Sequence, residues 1–284
     1  MKVIRATHLG MCFGVRDAIT LATREADSHP VTILGELVHN ETVNQSLRAR
    51  GVTLESQLEN VTTSTVIITA HGASRLALSK ARARGHDVLE ATCPLVHYAH
   101  RALMELVWDG LHPVIIGKRD HVEVRGMTED LGDHDVVLTE ENVIAMKERP
   151  RFGVVSQTTQ PIDKVHALVA LIRERFPNSE VRFKDTVCQP TKQRQLAAVE
   201  LAKQCDIVVV VGGNNSNNTR ELTETCSRHC SRVVQVQNSG ELRRHWFYNA
   251  ETVGITAGTS TPDDIIDTIE SQLNAWTNEQ QHVA

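Results

Sequence analysis

Short apolar runs alternate with longer amphipathic stretches from one end of this chain to the other. The runs are rich in Val and Ile, as in strands buried on both faces of a sheet. We predict strands at residues 31–34, 65–68, 113–116, 135–138, 153–155, 206–211, 233–236 and 252–255. Amphipathic stretches at residues 162–176, 191–205 and 262–276 predict helices. Regular alternation of this kind predicts an α/β fold with parallel sheets flanked by helices.

Three cysteines share one local setting in this pattern. Cys12, Cys93 and Cys188 each follow a strand-like stretch and precede a helical one. Proline, which suits the first turn of a helix, stands at 94 and 190. Taken singly, a strand-end cysteine is more often a small buried hydrophobic residue. Three in a matched setting beside helix N-termini favour thiolates, and convergent thiolates are typical of a metal or iron–sulfur site with one position open for chemistry.

The cysteines are 81 and 95 residues apart, which indicates a weak internal triplication. We predict three α/β units that each contribute one cysteine to a shared centre. Their predicted boundaries are residues 13–92, residues 93–184, and residues 1–12 together with 185–284. In sheets of this class the polar site lies beyond the carboxyl ends of the strands.

The junctions after the predicted strands carry imidazole, hydroxyl and amide side chains beside glycines. They include His39, His71 and His121, the run 212–219 and the run 256–260. Glycine allows close approach of the backbone, and a helix N-terminus offers N–H groups and positive potential. Together these features predict a pocket for a phosphate or diphosphate. Each histidine alone could instead be a helix cap or a core residue, and the run 214–219 could be only a turn and an N-cap.

The other three cysteines are interpreted as packing residues. Cys226 and Cys230 are four apart on a predicted helix, a spacing that permits metal binding, but no third ligand stands near them in the sequence. Cys205 is interpreted as packing at a junction between a helix and a strand.

Composition narrows the class of protein. The chain has 284 residues, of which 40% are hydrophobic and 23% charged, and a net charge of −5. That charge gives no reason to expect a nucleic acid or an anionic membrane as partner. No apolar run approaches the roughly 20 residues that span a bilayer. Because the first residues enter a strand and show no signal peptide, we expect a cytoplasmic protein with reduced cysteines.

These motifs together resemble the 4-hydroxy-3-methylbut-2-enyl diphosphate reductase family (LytB/IspH type), in order and over nearly the whole chain. The matching segments are residues 10–15, 38–40, 70–72, 91–96, 121–124, 157–159, 215–218 and 256–262. The resemblance implies a trefoil-like arrangement of three α/β units around a 4Fe-4S cluster. Its cysteine ligands would be Cys12, Cys93 and Cys188.

The resemblance also implies a reaction and roles for the other candidates. Glu123 matches the acid that delivers a proton, and Thr158 matches the threonine close to the substrate hydroxyl. The implied reaction removes the hydroxyl of an allylic diphosphate to give isopentenyl and dimethylallyl diphosphate, with ferredoxin or flavodoxin as electron donor. The positions that match diphosphate-binding residues are His39, His71, His121, Ser216, Asn217, Asn218 and Ser260.

Five residues depart from the family pattern, among them Val122, where a proline is frequent, and Lys192, where a hydroxyl residue is frequent. The other three bear on the substrate. Lys118 stands where a histidine is usual, Tyr98 where a lysine is usual, and Asn217 where a serine is usual. A paralogue acting on a different phosphorylated allylic substrate therefore stays an alternative. Two others are an iron–sulfur ligand sensor without turnover and, outside the family, a phosphosugar-binding protein with a structural zinc on the three cysteines.

Overall fold

A computed structural model describes the backbone of residues 1–281 and the side chains of residues 1–277. These residues divide into two compact units. The terminal unit comprises Met1–Phe13, His39–Val43 and the described residues from Gln189 onward. The central unit comprises Gly14–Val38 and Asn44–Cys188. Within the described residues, no helix is both long enough and apolar enough to cross a membrane.

The elements alternate as the sequence predicts. The strands are β1 (Lys2–Arg5), β2 (Val31–Leu34), β3 (Thr53–Glu55), β4 (Thr65–Ile68), β5 (Asp87–Glu90), β6 (His112–Ile116), β7 (Asp135–Val137), β8 (Arg151–Ser156), β9 (Glu180–Phe183), β10 (Ile207–Val211), β11 (Val233–Val236) and β12 (Thr252–Ala257). The α-helices are α1 (Phe13–Ala26), α2 (Glu41–Ala49), α3 (Arg75–Ala83), α4 (Pro94–Trp108), α5 (Val122–Thr128), α6 (Glu140–Ala145), α7 (Ile162–Arg175), α8 (Gln189–Ala202), α9 (Asn217–Ser227) and α10 (Asp263–Gln281). Short 3-10 helices span Leu58–Asn60, Ser239–Glu241 and Arg244–Phe247.

The strands form three parallel sheets of four strands each. The central unit holds sheet 1, with the order β3-β2-β4-β5, and sheet 2, with the order β7-β6-β8-β9. The terminal unit holds sheet 3, with the order β11-β10-β12-β1. The three orders are the same, since β1 takes in sheet 3 the edge place that β5 and β9 take in their sheets. The predicted fold class of three α/β units with small parallel sheets is therefore confirmed. The residue boundaries given for those units stay a prediction.

Helices cover both faces of sheets 2 and 3, which explains their continuous apolar strands. In sheet 2, Val154 packs in one cluster with Val165 and Ile172 of α7. Its neighbour Val155 packs in another with Leu103 of α4. Sheet 3 is covered in the same way, by α10 on one face and by α8 and α9 on the other. Burial on both faces removes the polar alternation of a half-exposed strand.

The eight predicted strands are confirmed, with ends that coincide with the prediction or differ from it by at most two residues. Strand β3 is missing from the prediction because Thr53–Glu55 is only three residues long and none of them is fully buried. The helix predicted at 191–205 begins at Gln189 and ends at Ala202. The helix predicted at 262–276 continues to Gln281.

Candidate active site

The three cysteines of the predicted metal site hold equivalent positions in the three sheets. Each comes after the edge strand β1, β5 or β9, and each directly precedes the first residue of a helix, α1, α4 or α8. Each backbone N–H donates to a carbonyl two residues beyond the end of the adjacent strand β12, β4 or β8. These bonds join Cys12 to Thr259 at 3.0 Å, Cys93 to Ala70 at 3.1 Å and Cys188 to Thr158 at 2.9 Å. An equivalent backbone hydrogen bond therefore holds each of the three cysteines in place.

The donor set of these cysteines fits a metal or iron–sulfur group. All three residues are half-buried, and none of them is in a disulfide. Each stands at a helix N-terminus, where the positive potential favours the negative charge of a thiolate ligand. Gly14 widens the space at one of them, because a Cβ on Gly14 would lie 2.5 Å from Sγ of Cys93.

The remaining cysteines are core residues. Cys205, Cys226 and Cys230 are buried in the apolar cluster between sheet 3 and helices α8 and α9. Burial raises the pKa of Cys205 to about 11 and that of Cys226 to about 12, so both are neutral thiols at physiological pH. Cys205 lies between α8 and β10, which confirms the predicted packing role at a junction between a helix and a strand.

Replacing Gly14 by alanine tests the space beside Cys93. Alanine normally stabilises a helix interior by about 1 kcal/mol relative to glycine. Here the added Cβ would push on Sγ of Cys93, so we expect G14A to bind less iron on reconstitution, by at least about twofold. The control is G132A, since a Cβ on Gly132 meets no atom within 4 Å. Equal iron content in the two variants, measured colorimetrically per protein, would contradict the role of Gly14.

Glu123 and Thr158 meet at the crevice of sheet 2. In sheet 2, strand β7 lies on one side of β6 and strand β8 on the other. The loops that follow β6 and β8 therefore lead away in opposite directions and flank a topological switch point. The backbone N–H of Thr158 donates to Oε1 of Glu123 at 2.6 Å, and its hydroxyl donates to Oε2 at 3.0 Å. Both side chains are buried, with Glu123 only 1% exposed.

Burial gives Glu123 the protonation behaviour of a general acid. Loss of hydration raises the pKa of this carboxyl from 4.5 to about 7, although the two hydrogen bonds from Thr158 act in the opposite direction. A carboxyl with a pKa near neutrality can hold a proton at physiological pH and release it readily. Glu123 is therefore equipped to give a proton to a group near the Thr158 hydroxyl.

His121 presents an N–H donor beside this pair. It caps α5, and its Nδ1 accepts a hydrogen bond from the backbone N–H of Glu123 at 3.1 Å. Because Nδ1 is an acceptor, the ring proton of the neutral imidazole is on Nε2. The ring of His71 stands edge-on to that of His121, with centroids 5.4 Å apart. The central unit thus brings together four predicted site residues, namely Glu123, Thr158, His121 and His71.

The terminal unit brings together the other candidates for diphosphate binding. A Cβ on Gly213 would lie 2.7 Å from the carbonyl oxygen of His39, so only glycine permits this approach of the two loops. The hydroxyl of Ser260 donates to the same carbonyl at 3.4 Å. The hydroxyl of Ser216 caps α9 by accepting from Thr219 N–H at 3.3 Å, and its own proton stays available for donation.

The side-chain amide of Asn218 is held in place through its oxygen, while its nitrogen can donate to a ligand. Its Oδ1 accepts from the backbone N–H of Thr259 at 2.9 Å, across the crevice between β10 and β12. Its Nδ2 is buried and has no hydrogen-bond partner among the described residues. A buried amide donor without a partner is costly, and an anionic acceptor would satisfy it. The amide of Asn218 could therefore bind a phosphate oxygen, and its role in diphosphate binding stays a prediction.

The three residues whose departure from the family pattern bears on the substrate have different surroundings. Lys118 is half-buried, and its backbone N–H donates to Oε1 of Gln157 at 3.1 Å. Asn217 is buried and accepts from Arg220 at 3.4 Å. Tyr98 lies on α4 and is 46% exposed.

Thr219 belongs to the run 212–219 of the predicted pocket, but the sequence predicts no individual role for it. It is fully buried, and a Cβ on Gly212 or Gly258 would come within 2.4 Å or 2.3 Å of its Oγ1. Thr219 therefore fixes how closely the loops after β10 and β12 approach one another. A single threonine on a helix gives no sequence signal for this contact.

The family model described as LytB protein matches residues 3–274 of the chain. This chain belongs to the LytB protein family. One relative, the 4-hydroxy-3-methylbut-2-enyl diphosphate reductase of Trichlorobacter lovleyi, is 36% identical over 281 residues, which cover 98% of this chain and 99% of the relative. The resemblance seen in the sequence is thereby confirmed, and so is the predicted enzyme class, an oxidoreductase.

Solved structures of this family share the fold. The E-1-hydroxy-2-methyl-but-2-enyl-4-diphosphate reductase of Plasmodium falciparum is 25% identical with a TM-score of 0.89, and the match covers 96% of this chain and 87% of that one. A second structure, of (E)-4-hydroxy-3-methyl-but-2-enyl diphosphate reductase, is 34% identical with a TM-score of 0.69 and covers 97% and 100%. That second protein is described as the terminal enzyme of the non-mevalonate pathway.

Proposed function

We propose that this member of the LytB family reduces 4-hydroxy-3-methylbut-2-enyl diphosphate to isopentenyl and dimethylallyl diphosphate. The proposed cofactor is a 4Fe-4S cluster held by Cys12, Cys93 and Cys188 in a trefoil-like arrangement of three α/β units. The relatives that bear the name of this reductase support the proposal over almost the full length of the chain.

The single observation that carries the proposal is the shared placement of the three cysteines. Three sheets of the same strand order each present one cysteine, by the same backbone hydrogen bond and at the start of a helix. A structural zinc prefers four protein ligands, whereas three thiolates leave one position of a metal group open to substrate. Repetition in all three sheets favours a common three-fold role over three unrelated packing residues.

The reaction breaks one C–O bond, consumes two electrons and two protons, and releases water. When bound, the cluster would supply the electrons and a Lewis-acidic iron. This chain's residues would supply the rest: the diphosphate anchor, the proton and the exclusion of water. A ferredoxin or flavodoxin is proposed as the source of electrons.

The proton path is proposed to run from Oε2 of Glu123 through Oγ1 of Thr158. In its protonated form Glu123 can donate along the 3.0 Å contact to the Thr158 hydroxyl, which then passes its own proton to the leaving hydroxyl of the substrate. The bond from Thr158 N–H to Oε1 holds the carboxyl in one orientation and leaves Oε2 to carry the proton.

The diphosphate is proposed to bind at N–H and O–H donors. Nε2 of His121, the amide of Asn218 and the hydroxyl of Ser216 are the clearest of these. His39, His71, Asn217 and Ser260 complete the proposed set. Binding energy from the diphosphate would orient the allylic carbon, which does not itself interact strongly with protein.

The pH dependence of turnover should report on Glu123. Because the carboxyl must be protonated to act as an acid, kcat is expected to fall about tenfold per pH unit above pH 7. In T158V, kcat should fall because the hydroxyl that passes the proton is lost. The remaining turnover should decline only at higher pH, because loss of the hydrogen bond from that hydroxyl raises the pKa of Glu123. T158S, which keeps the hydroxyl, is the control. The expectation fails if kcat falls over the same pH range in T158V and T158S. Visible absorbance verifies the cluster content at each pH.

The function itself is tested by anaerobic turnover of 4-hydroxy-3-methylbut-2-enyl diphosphate with reduced methyl viologen, on protein with a reconstituted cluster. Formation of both isopentenyl and dimethylallyl diphosphate is expected. A loaded cluster without turnover of this substrate would overturn the proposal and favour a paralogue with another substrate or, if no substrate is reduced, an iron–sulfur sensor. Stoichiometric zinc without thiolate-to-iron absorbance would favour the zinc-site alternative.

A second candidate is reduction of a different phosphorylated allylic substrate. The observation that favours it is the place of Lys118, half-buried in the loop that carries His121, where a cation would alter recognition of the anion. Efficient turnover of the standard diphosphate at micromolar concentration would exclude this candidate. Without such turnover, K118H is the first variant to compare.

A further inference from the structure

The buried guanidinium of Arg194 is the feature of the terminal unit that the proposed reaction does not use. Arg194 lies in the second turn of α8 and is only 8% exposed. Its Nε donates to the carbonyl oxygen of Gly10 at 2.9 Å, and its Nη1 donates to that of Pro190 at 3.0 Å. Gly10 stands two residues before Cys12, and Pro190 stands two residues after Cys188.

Arg194 completes the restraint of the segment that leads to Cys12. The backbone N–H of Gly10 donates to Ala257 at 3.1 Å, and that of Cys12 donates to Thr259 at 3.0 Å. These two bonds fix one side of the segment, and Arg194 fixes the carbonyl of Gly10. Gly10 has a positive φ of 72°, and a Cβ there would meet Ile266 at 2.8 Å, so this segment has little freedom to shift.

The charge of Arg194 is placed against the preference of its helix. Arginine is protonated at any physiological pH. Cations are favourable at the C-terminus of a helix and unfavourable in its first turn, where N–H groups already give positive potential. Arg194 bends back onto Pro190, the second residue of α8, and so brings its charge to that first turn. Negative charge nearby would favour a cation at this place.

The thiolates of the proposed cluster site supply such a charge. Two residues of chain reach at most about 7 Å, so the guanidinium lies within roughly 10 Å of the Cys12 backbone. A group ligated by three thiolates becomes more negative when it accepts an electron. A fixed cation at this distance stabilises the reduced form more than the oxidised form, because Coulomb attraction grows with the charge.

We infer that Arg194 is a positioning residue for the cluster: it fixes the Cys12 segment through Gly10 and raises the reduction potential of the cluster by its buried charge. This inference rests on the proposed function, since it presupposes the cluster. It assigns two separable effects to one side chain, one through hydrogen bonds and the other through charge.

Two variants separate these effects. R194Q removes the charge and keeps an N–H donor, whereas R194K keeps the charge and loses the planar fork. At a fixed potential, R194Q is expected to show at least a tenfold lower ratio of reduced to oxidised cluster, which corresponds to about 59 mV for a one-electron couple. In R194K, the ratio of reduced to oxidised cluster at the same potential is expected to stay within threefold of that in the unchanged protein. R194K is also expected to retain less iron. R228Q, an exposed arginine paired with Glu224 in the same unit, is the control.

The measurements are iron per protein after reconstitution and a redox titration followed by visible absorbance. Circular dichroism reports whether each variant is folded. If R194Q does not fold, R194K alone decides, since an iron content equal to that of R228Q would overturn the positioning role. The same iron content and potential in R194Q and R228Q would overturn the whole inference. Failure of the unchanged protein to take up a cluster would instead overturn the proposed function, and this inference with it.

Discussion

Replacing Glu123 by glutamine is expected to lower turnover by at least about a hundredfold, which is the usual contribution of a general acid. The amide has the same shape, so Thr158 N–H can still donate to Oε1, but the side chain holds no transferable proton. Iron content should stay within about 20% of the unchanged protein, and KM should change less than kcat. The measurement is steady-state kinetics with reduced methyl viologen, alongside an iron assay.

The matched control for this substitution is E148Q, because Glu148 is exposed. The buried carboxyl also predicts an effect on stability that E148Q should lack. A pKa of about 7 in the folded state against 4.5 unfolded means that folding keeps a proton which the unfolded chain releases. This stabilising proton is fully present below pH 4.5, and its contribution, about 3 kcal/mol, is lost as pH rises to about 7. E123Q should therefore unfold with a weaker pH dependence over that range.

Equal turnover in E123Q and E148Q would show that another group delivers the proton. Loss of iron in E123Q would instead mean that the carboxyl supports the cluster site, since Thr158 also accepts the hydrogen bond from Cys188. Because the two readouts are measured on the same preparation, the roles in proton transfer and in support of the cysteine are distinguishable.

The strands were predictable because most are apolar runs buried on both faces. Sequence periodicity reports burial directly, so runs such as residues 207–211 could be recognised without knowing their neighbours. Strand β3 could not be, because its three residues are only partly buried and its place is fixed by pairing with β2. The ends of helices were less predictable: α8 ends at Ala202, although the apolar pattern continues to Cys205, which packs in the same cluster.

The resemblance placed Glu123 and Thr158 at one site, but the pattern of residues alone could not predict that they are in contact. Glu123 and Thr158 are 35 residues apart, and they meet because β6 and β8 are neighbours while β7 lies on the outer side. The order of strands is a tertiary property, which the alternation of strands and helices leaves undetermined. His39 and Gly213 are a similar case, since their approach depends on a missing Cβ rather than on any motif.

The matched setting of the cysteines could be predicted, but its cause could not. The sequence shows three cysteines between a strand and a helix, which is enough to suggest a common role. The common backbone bond depends on loops of different length: Cys12 follows the end of its edge strand by seven residues and Cys93 by three. Although these loops differ in length, both place their cysteine in an equivalent backbone hydrogen bond. This shared bond supports a common site more strongly than the similar positions of the cysteines in the sequence.

Replacing any one of Cys12, Cys93 and Cys188 by serine is expected to lower turnover by more than about a thousandfold and to remove at least half of the iron. Serine keeps the backbone bond that places the residue but loses the thiolate, the ligand that iron–sulfur groups require. The measurements are iron and sulfide per protein, visible absorbance and turnover. All three variants should behave alike, because the three positions are equivalent in their sheets.

The matched control is C230A, which removes a thiol at a position that is 8% exposed and lies in the core of sheet 3. C230A should keep iron and turnover and lose some thermal stability, as expected for loss of a buried side chain. A variant at only one of the three positions that kept its iron would break the equivalence and reduce the site to two cysteine ligands. Loss of iron in C230A to the same degree would mean that the assay reports folding, and a melting curve for each variant separates that outcome from loss of a ligand.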